Sequence, residues 1–160
     1  MAKFAILSVG KLKTDYYKAA LDDYAGRIRR YLDFESIETK EERLAKNASE
    51  AEMLTAKQKE GERLLGETAK YDAFYCLDAK GKRMTSEAFS KLLSQDMAGG
   101  INRTAFIIGG SNGLSDDIKK RARGVISFSD MIFPHHLFRV MLAEQIYRAL
   151  TIINHEKYHK

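Results

Sequence analysis

The sequence predicts an α/β fold, a mostly parallel sheet with helices on both faces, and three observations carry that expectation. Apolar runs of strand length alternate with stretches whose apolar residues recur at helical spacing, the order produced when crossover helices join parallel strands. The clearest run, Thr104–Ile108, breaks at Gly109-Gly110 shortly before a new helix signal, as strand–turn–helix units do. The chain has 160 residues, 44% of them hydrophobic, which suits a single domain over residues 1–160 with a sizeable core.

Each element has its own warrant. Phe4–Val9 is a short apolar run ended by Gly10 and reads as a buried first strand; it lacks the small-residue exit of a signal peptide. From Asp15 to Tyr31, Tyr17, Ala20, Leu21, Tyr24 and Ile28 recur at helical spacing, with Thr14 placed to cap. Phe34–Thr39 alternates like a strand with one wet face. Within the charged stretch 41–67, Ser49 followed by Glu52 is a capping-box signature for a helix to Leu65, and 40–50 is the expected mobile loop. Ala73–Leu77 is a third strand, after which Gly81 is expected to turn the chain. Thr85 or Ser86 opens a helix through Met97, closed by Gly99-Gly100. Beyond Thr104–Ile108, Ser115 caps a short basic helix to Arg123, and Val125–Phe128 is a last strand. Residues 136–153 form a helix apolar on most sides, so it must be covered on more than one, by the sheet and by a second subunit.

Composition excludes several classes. No apolar run approaches the roughly 18–20 residues that span a bilayer. The lone Cys76 allows no intrachain disulfide and no cysteine metal cluster, which fits a reducing, cytoplasmic setting. The net charge is +5, and residues 101–160 carry nine Lys or Arg against five Asp or Glu. All four histidines, His135, His136, His155 and His159, fall there too, which places the expected chemistry toward the C-terminal end.

Three segments could carry that chemistry. Phe106–Leu114 runs from a strand into a glycine turn, bringing backbone N–H groups and a helix start to the sheet edge where α/β proteins bind ligands. No Gly-Lys-Ser/Thr follows, so it is not a Walker loop; the spacing is also wrong for G-x-G-x-x-G. It does match G-x-S-x-G as Gly109-x-Ser111-x-Gly113, with Asp130 and His135 or His155 following, so a serine hydrolase is one reading. The second segment, Ser127–His136, is a polar and apolar loop able to wrap a cofactor; His135 and His136, being adjacent, point apart, and no metal is expected between them. The third is the tail Asn154–Lys160, whose Tyr, His and Lys could stack on bases, move protons and meet phosphate.

Taken together, Leu77-Asp78 with Gly81-Lys82, FIIGGSNGL (106–114), SFSDMIFPHHLFRVMLAEQIYRA (127–149), the opening Ala5–Lys11 and the terminal Tyr158-His159-Lys160 closely resemble the RlmH family. These are small bacterial SPOUT methyltransferases acting on a large-subunit rRNA pseudouridine. The resemblance spans nearly the whole chain and is weakest over 40–70. It implies a C-terminal trefoil knot, a homodimer, S-adenosyl-L-methionine as cofactor, and methylation at N3 of the pseudouridine in the helix 69 loop of 23S rRNA, on the ribosome or large subunit. Neither DNA nor a membrane is an implied partner. The family's cofactor contacts fall here on Leu77, Gly109, Phe128, Ser129, Asp130, Met131, Ile132 and Phe133. Its catalytic or substrate-side positions fall on Glu144, Arg148, Tyr158 and His159, with the tail completing the neighbouring subunit's site. Glu144 and Arg148 lie four apart and can pair on one helix face, so that the carboxylate orients the guanidinium. Lys119-Lys120-Arg121-Arg123 and Arg27-Arg29-Arg30 are either phosphate contacts or solvated helix faces. A non-catalytic RNA-binding module is the third reading.

Overall fold

In the computed structural model, which describes residues 2–160, ten elements alternate along the chain. They are β1 (Lys3–Val9), α1 (Asp15–Ile28), β2 (Asp33–Thr39), α2 (Glu50–Thr68), β3 (Ala73–Arg83), α3 (Ser86–Ala98), β4 (Arg103–Ile108), α4 (Asp116–Arg121), β5 (Gly124–Ser127) and α5 (His135–Ile153). The strands form one sheet in the order β2-β1-β4-β3-β5, and every pairing is parallel. The α/β reading and the all-round order of elements therefore hold.

Strand side chains alternate between two cores, as a pleated strand covered on both faces requires. Phe4, Ile6, Tyr75, Leu77, Phe106 and Ile108 face one core with Leu21, Ile28, Phe89, Leu93, Leu142 and Ile146, from α1, α3 and α5. Ala5, Leu7, Val9, Cys76, Ala105 and Ile107 face the other with Leu64 of α2 and Ile118 of α4. Adjacent strands β1 and β4 thus send their following helices to opposite faces. The crevice that opens beyond their carboxyl ends is where this class of sheet accepts ligands.

The helix starts follow from local chemistry. Ser49 and Glu52 make both bonds of the capping box, Thr85 accepts from the Ala88 N–H, and Ser115 accepts from the Ile118 N–H. Thr14 stands at the N-cap of α1, but its side chain makes no capping bond.

Two boundaries differ from expectation. Gly81 does not turn the chain: β3 continues to Arg83, with a register irregularity between Leu77 and Lys82, and pairs with β5 on both sides of it. A Cβ at Gly81 would sit 2.7 Å from both the carbonyl carbon and oxygen of Val125, so glycine serves close backbone approach within a bulge. The basic helix α4 stops at Arg121, because Arg123 donates its backbone N–H to the Phe74 carbonyl to begin β5.

The last helix is covered within its own chain more fully than its sequence suggests. It packs between α1 and α3 on the sheet, burying Leu142, Ala143, Ile146, Ala149 and Leu150. A stripe of Val140, Glu144 and Tyr147, spaced i, i+4, i+7, remains only half-buried. The fully buried Arg139 pins the start of α5: its guanidinium donates to the Val9 and Gly10 carbonyls, 2.8 Å each, and to Glu38 at 2.8 Å.

Candidate functional site

At the carboxyl edge of the sheet, the ends of β3 and β4, the loop after β5 and the first turn of α5 enclose a cleft of about 280 Å³, near the lower end for small-molecule sites. Its floor is the glycine turn. Gly113 has φ +79°, and its N–H donates to the Gly110 carbonyl at 3.0 Å, folding the turn back on itself. Gly109 sits inside that fold: a Cβ there would lie 2.8 Å from the Gly113 carbonyl carbon and 3.0 Å from its oxygen. No side chain fits, and the backbone is left bare toward the cleft.

The walls are mostly apolar, from Leu77, Ile108, Leu114, Phe128, Phe133 and Phe138. Phe138 anchors the loop by ring contacts with Phe128 and Phe133, at centroid distances of 4.9 and 6.3 Å. Ser129 shapes the loop: its carbonyl accepts from Ser127 Oγ, and its own Oγ accepts from the Met131 N–H. Met131 and Ile132 stand 73% and 89% exposed at the loop tip, far above what a folded chain normally leaves of such side chains. Two titratable groups reach the cleft. Asp78 is held by Lys119 at 3.3 Å. Burial, then the neighbouring His136 and Arg139, push the His135 imidazole below its ordinary pKa, so this wall is uncharged at neutral pH.

Of the residues expected around a cofactor, Leu77, Gly109, Phe128, Ser129, Met131, Ile132 and Phe133 line this cleft. Asp130 does not; it turns outward to an exposed ion pair with Arg83 at 3.0 Å. Ser111 lines the cleft, yet among the described residues no histidine bonds it: His135 stacks on His136, and His155 lies beyond the far end of α5. A nucleophile without a base does not support the hydrolase reading.

Glu144, Arg148, Tyr158 and His159 form a second, separate cluster. Glu144 accepts two bonds from the Arg148 fork, at 3.1 and 2.8 Å, and a third from the Tyr158 hydroxyl at 2.8 Å. The guanidinium lies over the Tyr158 ring at 4.8 Å, and its Nη1 stands 3.1 Å from His159 Nδ1. Arginine only donates, so Nδ1 accepts, and in the neutral imidazole the proton sits on Nε2, against Glu87. Burial and the Glu144 bond push the Tyr158 hydroxyl up to about 12, and the Glu144 bond raises Arg148 further still. The tail reaches this place because His155 takes φ +57° after the Asn154 cap and reverses the chain onto α5. Arg148 lies thirteen residues beyond His135 on the same helix, about 20 Å at roughly 1.5 Å per residue. One chain thus holds Arg148 and the tail away from the cleft, while Glu144 shares a shallow groove with Phe128 of the cleft's own loop.

The two basic runs are mostly neutralised. Arg27 pairs with Asp23, Lys119 with Asp78, Arg121 with Asp117 and Arg123 with Asp96, while Arg29 donates to the Phe34 carbonyl. Two buried groups had no sequence reading of their own. Arg139 signals itself only as a lone charge in an apolar helix start. Glu60, 2% exposed on α2, accepts from the Glu42 N–H at 2.8 Å and lies beside Asn112 of the glycine turn; burial raises its carboxyl pKa.

Comparison with known proteins places this geometry. The family model described as "Predicted SPOUT methyltransferase" matches residues 2–159. The chain is 47% identical over 156 residues to a Ribosomal RNA large subunit methyltransferase H from an Exiguobacterium species, covering 98% of each. It is 46% identical over 155 residues to Ribosomal RNA large subunit methyltransferase H 1 of Clostridium perfringens, covering 97% of this chain and 98% of that one. Among solved structures it resembles a "probable methylase family protein" from Haemophilus influenzae (TM-score 0.53, 8% identity, 99% and 70% of the two chains). It also resembles a "Probable Methyltransferase" from Bordetella pertussis (TM-score 0.52, 11% identity, 93% and 96%). These two likenesses concern the fold.

Proposed function

This chain belongs to the SPOUT methyltransferase family, and on that premise we propose that it methylates large-subunit ribosomal RNA with S-adenosyl-L-methionine, at N3 of a pseudouridine in helix 69. The observation that carries the reading is the glycine turn, closed so tightly that Gly109 has no room for a Cβ, with Gly109, Gly110 and Gly113 lining an apolar cleft at the crevice of the sheet. The residues fit the cofactor. Leu77, Phe128, Met131, Ile132 and Phe133 offer apolar surface to a flat heterocycle, the turn offers peptide groups, and a neutral His135 brings no charge against a cation. The family's fold, with its C-terminal trefoil knot, accounts for a loop that leaves an edge strand and returns to the middle of the sheet.

Bound S-adenosyl-L-methionine supplies a methyl on a sulfonium, an electrophile that needs no protein nucleophile. The protein's work is to hold the base in line, to let N3 lose its proton to solvent water, and to stabilise the resulting anion. Correct placement of two reactants is worth about 7–11 kcal/mol of a barrier. Arg148 is built for the anion: its charge is permanent, and its planar fork can meet a base carbonyl oxygen. Glu144 and His159 act as positioning residues, holding that fork from two sides, and Tyr158 stacks beneath it. With a hydroxyl raised to about 12, Tyr158 stays protonated near neutrality and serves as a hydrogen-bond donor to Glu144.

Because Arg148 stands ten residues, about 15 Å, along α5 from Phe138, the last cleft residue on that helix, we place Arg148, Tyr158 and His159 in the site of a second copy, making the enzyme a homodimer with composite sites. The half-buried stripe of α5 and the exposed Met131 and Ile132 suit such an interface. Among the described residues no helix is long and apolar enough to cross a membrane, and we infer a cytoplasmic location from the proposed ribosomal substrate. Transfer of label from methyl-tritiated cofactor to intact ribosomes, large subunits and naked 23S rRNA tests the reading. Label at a pseudouridine N3 in assembled particles is expected. RNA binding without transfer would replace it with a non-catalytic RNA-binding module.

A further inference from the structure

A second cleft opens at the same sheet edge, beyond the carboxyl ends of β1 and β2, and at about 610 Å³ it is larger than the first. Its character is different: Lys11, Lys13, Lys40 and Arg43 line it, with Glu38 and Glu41. Glu38 is already committed to the buried Arg139 and to the Leu12 N–H at 2.6 Å. Lys11, Lys13 and Lys40 meet no carboxylate within 4 Å among the described residues, and Arg43 reaches Glu41 only at 4.0 Å. With Glu38 committed to Arg139, the cleft is a concave surface of four cations against the single carboxylate of Glu41, whereas the basic runs around α1 and α4 are mostly paired.

Its walls are held in place. On one side Gly10 takes φ +85° and donates to the Thr39 carbonyl at 2.7 Å, and buried Leu12 anchors the segment carrying Lys11 and Lys13. On the other, Arg63 of α2 donates to the Lys40 carbonyl at 3.0 Å and to Glu42 at 2.9 Å, while Glu60 accepts from the Glu42 N–H. The exposed loop after β2 is thus fastened to α2 at three points, which fixes where its cations stand.

The two clefts share a ridge. Gly110, in the floor of the first, comes so close to β1 that a Cβ there would lie 3.1 Å from Val9 Cγ1. Arg139, one residue beyond Phe138 of the first cleft, bonds the carbonyl of Gly10 in the second. A polyanion lying in the cationic cleft would pass directly beside the glycine turn.

We propose that this cleft is the seat of the RNA backbone: Lys11, Lys13, Lys40 and Arg43 hold the phosphates flanking the target nucleotide in the protomer whose own glycine turn holds the cofactor. The assignment rests on the methyltransferase reading and adds the surface that selects RNA. Each phosphate neutralised releases condensed counterions, so these contacts appear in the salt dependence of binding, at about 0.7 in logarithmic slope per contact with a single strand.

The test compares three proteins: the wild type, K11Q/K13Q/K40Q/R43Q, and K120Q/R121Q on α4. Fluorescence anisotropy with a labelled RNA of about 12 nucleotides, a length matched to known single-strand site sizes, is measured from low to moderate salt without cofactor. The cleft variant is expected to lose at least tenfold in affinity at low salt, with a slope shallower by about 2–3. The α4 variant should keep the wild-type slope. Calorimetry with S-adenosyl-L-methionine and a thermal midpoint equal to wild type show that the cleft variant is folded with its cofactor site intact. An unchanged slope, an equal loss in the α4 variant, or no RNA binding by the wild type overturns the proposal. Wild-type methyl transfer to ribosomes decides the parent reading separately, since binding is read in the absence of cofactor.

Discussion

Gly109→Ala is the sharpest perturbation of the cofactor cleft, because the structure fixes what the added methyl must meet. It would stand 2.8 Å from the carbonyl carbon of Gly113, 3.0 Å from its oxygen and 3.0 Å from Leu114 Cγ. Ordinary carbon contacts begin near 3.5 Å, so the turn must move outward by about half an ångström or more. Two of the three obstructing atoms are backbone, which cannot rotate away. Overpacking of this kind costs about 1–3 kcal/mol. For a domain of this length, each kcal/mol lowers the thermal midpoint by about 2–4 °C, which gives a fall of about 2–12 °C. Any part of the strain relieved toward the cleft weakens the cofactor, at tenfold per roughly 1.4 kcal/mol. Titration calorimetry with S-adenosyl-L-methionine and a thermal melt read both. Gly66→Ala supplies a control of opposite sign: a Cβ there meets nothing within 4 Å inside helix α2, and the change should stabilise by about 0.5–1 kcal/mol. A Gly109→Ala protein with cofactor affinity within about twofold of wild type, and a midpoint within about 1 °C, would mean that the turn absorbs the methyl without strain.

Three further outcomes are expected. Arg148→Lys keeps the charge but loses the fork that Glu144 and His159 hold, so kcat for methyl transfer should fall about 10²-fold while cofactor affinity stays unchanged, read by single-turnover labelling and calorimetry. His135 has a folded pKa below its ordinary 6.5, chiefly from burial. Between that folded value and 6.5 the unfolded chain binds more protons, so stability rises with pH through the window and is lost on acidification; His135→Gln should shrink the rise of the thermal midpoint with pH below 6.5, leaving the part due to His136, whose pKa burial also lowers. Glu60 runs the other way. Its folded pKa lies above the ordinary 4.5, chiefly from burial, so the native state binds more protons and stability declines as pH rises from 4.5 through the folded value. Glu60→Gln should abolish that decline, and an unchanged slope in the midpoint against pH would count against the assignment.

Much of the fold was legible because its signals are local. The near-unbroken apolar runs Phe4–Val9 and Thr104–Ile108 report two buried faces, and Ser49, Thr85 and Ser115 announce helix starts through bonds to residues three positions on. Gly81 misled because a glycine within a polar stretch reads equally as a turn or as a close approach, and only Val125, 44 positions away, decides between them. The first cleft was legible as a glycine turn followed by a wrapping loop. The charges were not. The surplus of Lys and Arg beyond residue 100 pointed to the C-terminal end, yet Lys119 finds Asp78 and Arg123 finds Asp96 across elements, which cancels much of that surplus. The cations of the second cleft sit in the nearly neutral first part of the chain, where the parallel register of Val9 on Thr39 brings Lys11 and Lys13 beside Lys40 and Arg43. Arg139 was hidden for the same reason: two of its partners are backbone carbonyls 129 and 130 positions earlier.

The buried bond between Arg139 and the end of β1 bears on how the protein is made. Domains emerge from the ribosome amino end first, and every strand of this sheet is out before the segment from Phe128 onward. That segment supplies a wall of the cofactor cleft, and its Arg139 fixes the Gly10 bend on which the cationic cleft is built. Until α5 docks, a nascent chain has neither binding surface in working shape. One helix late in the sequence thus completes both clefts at once.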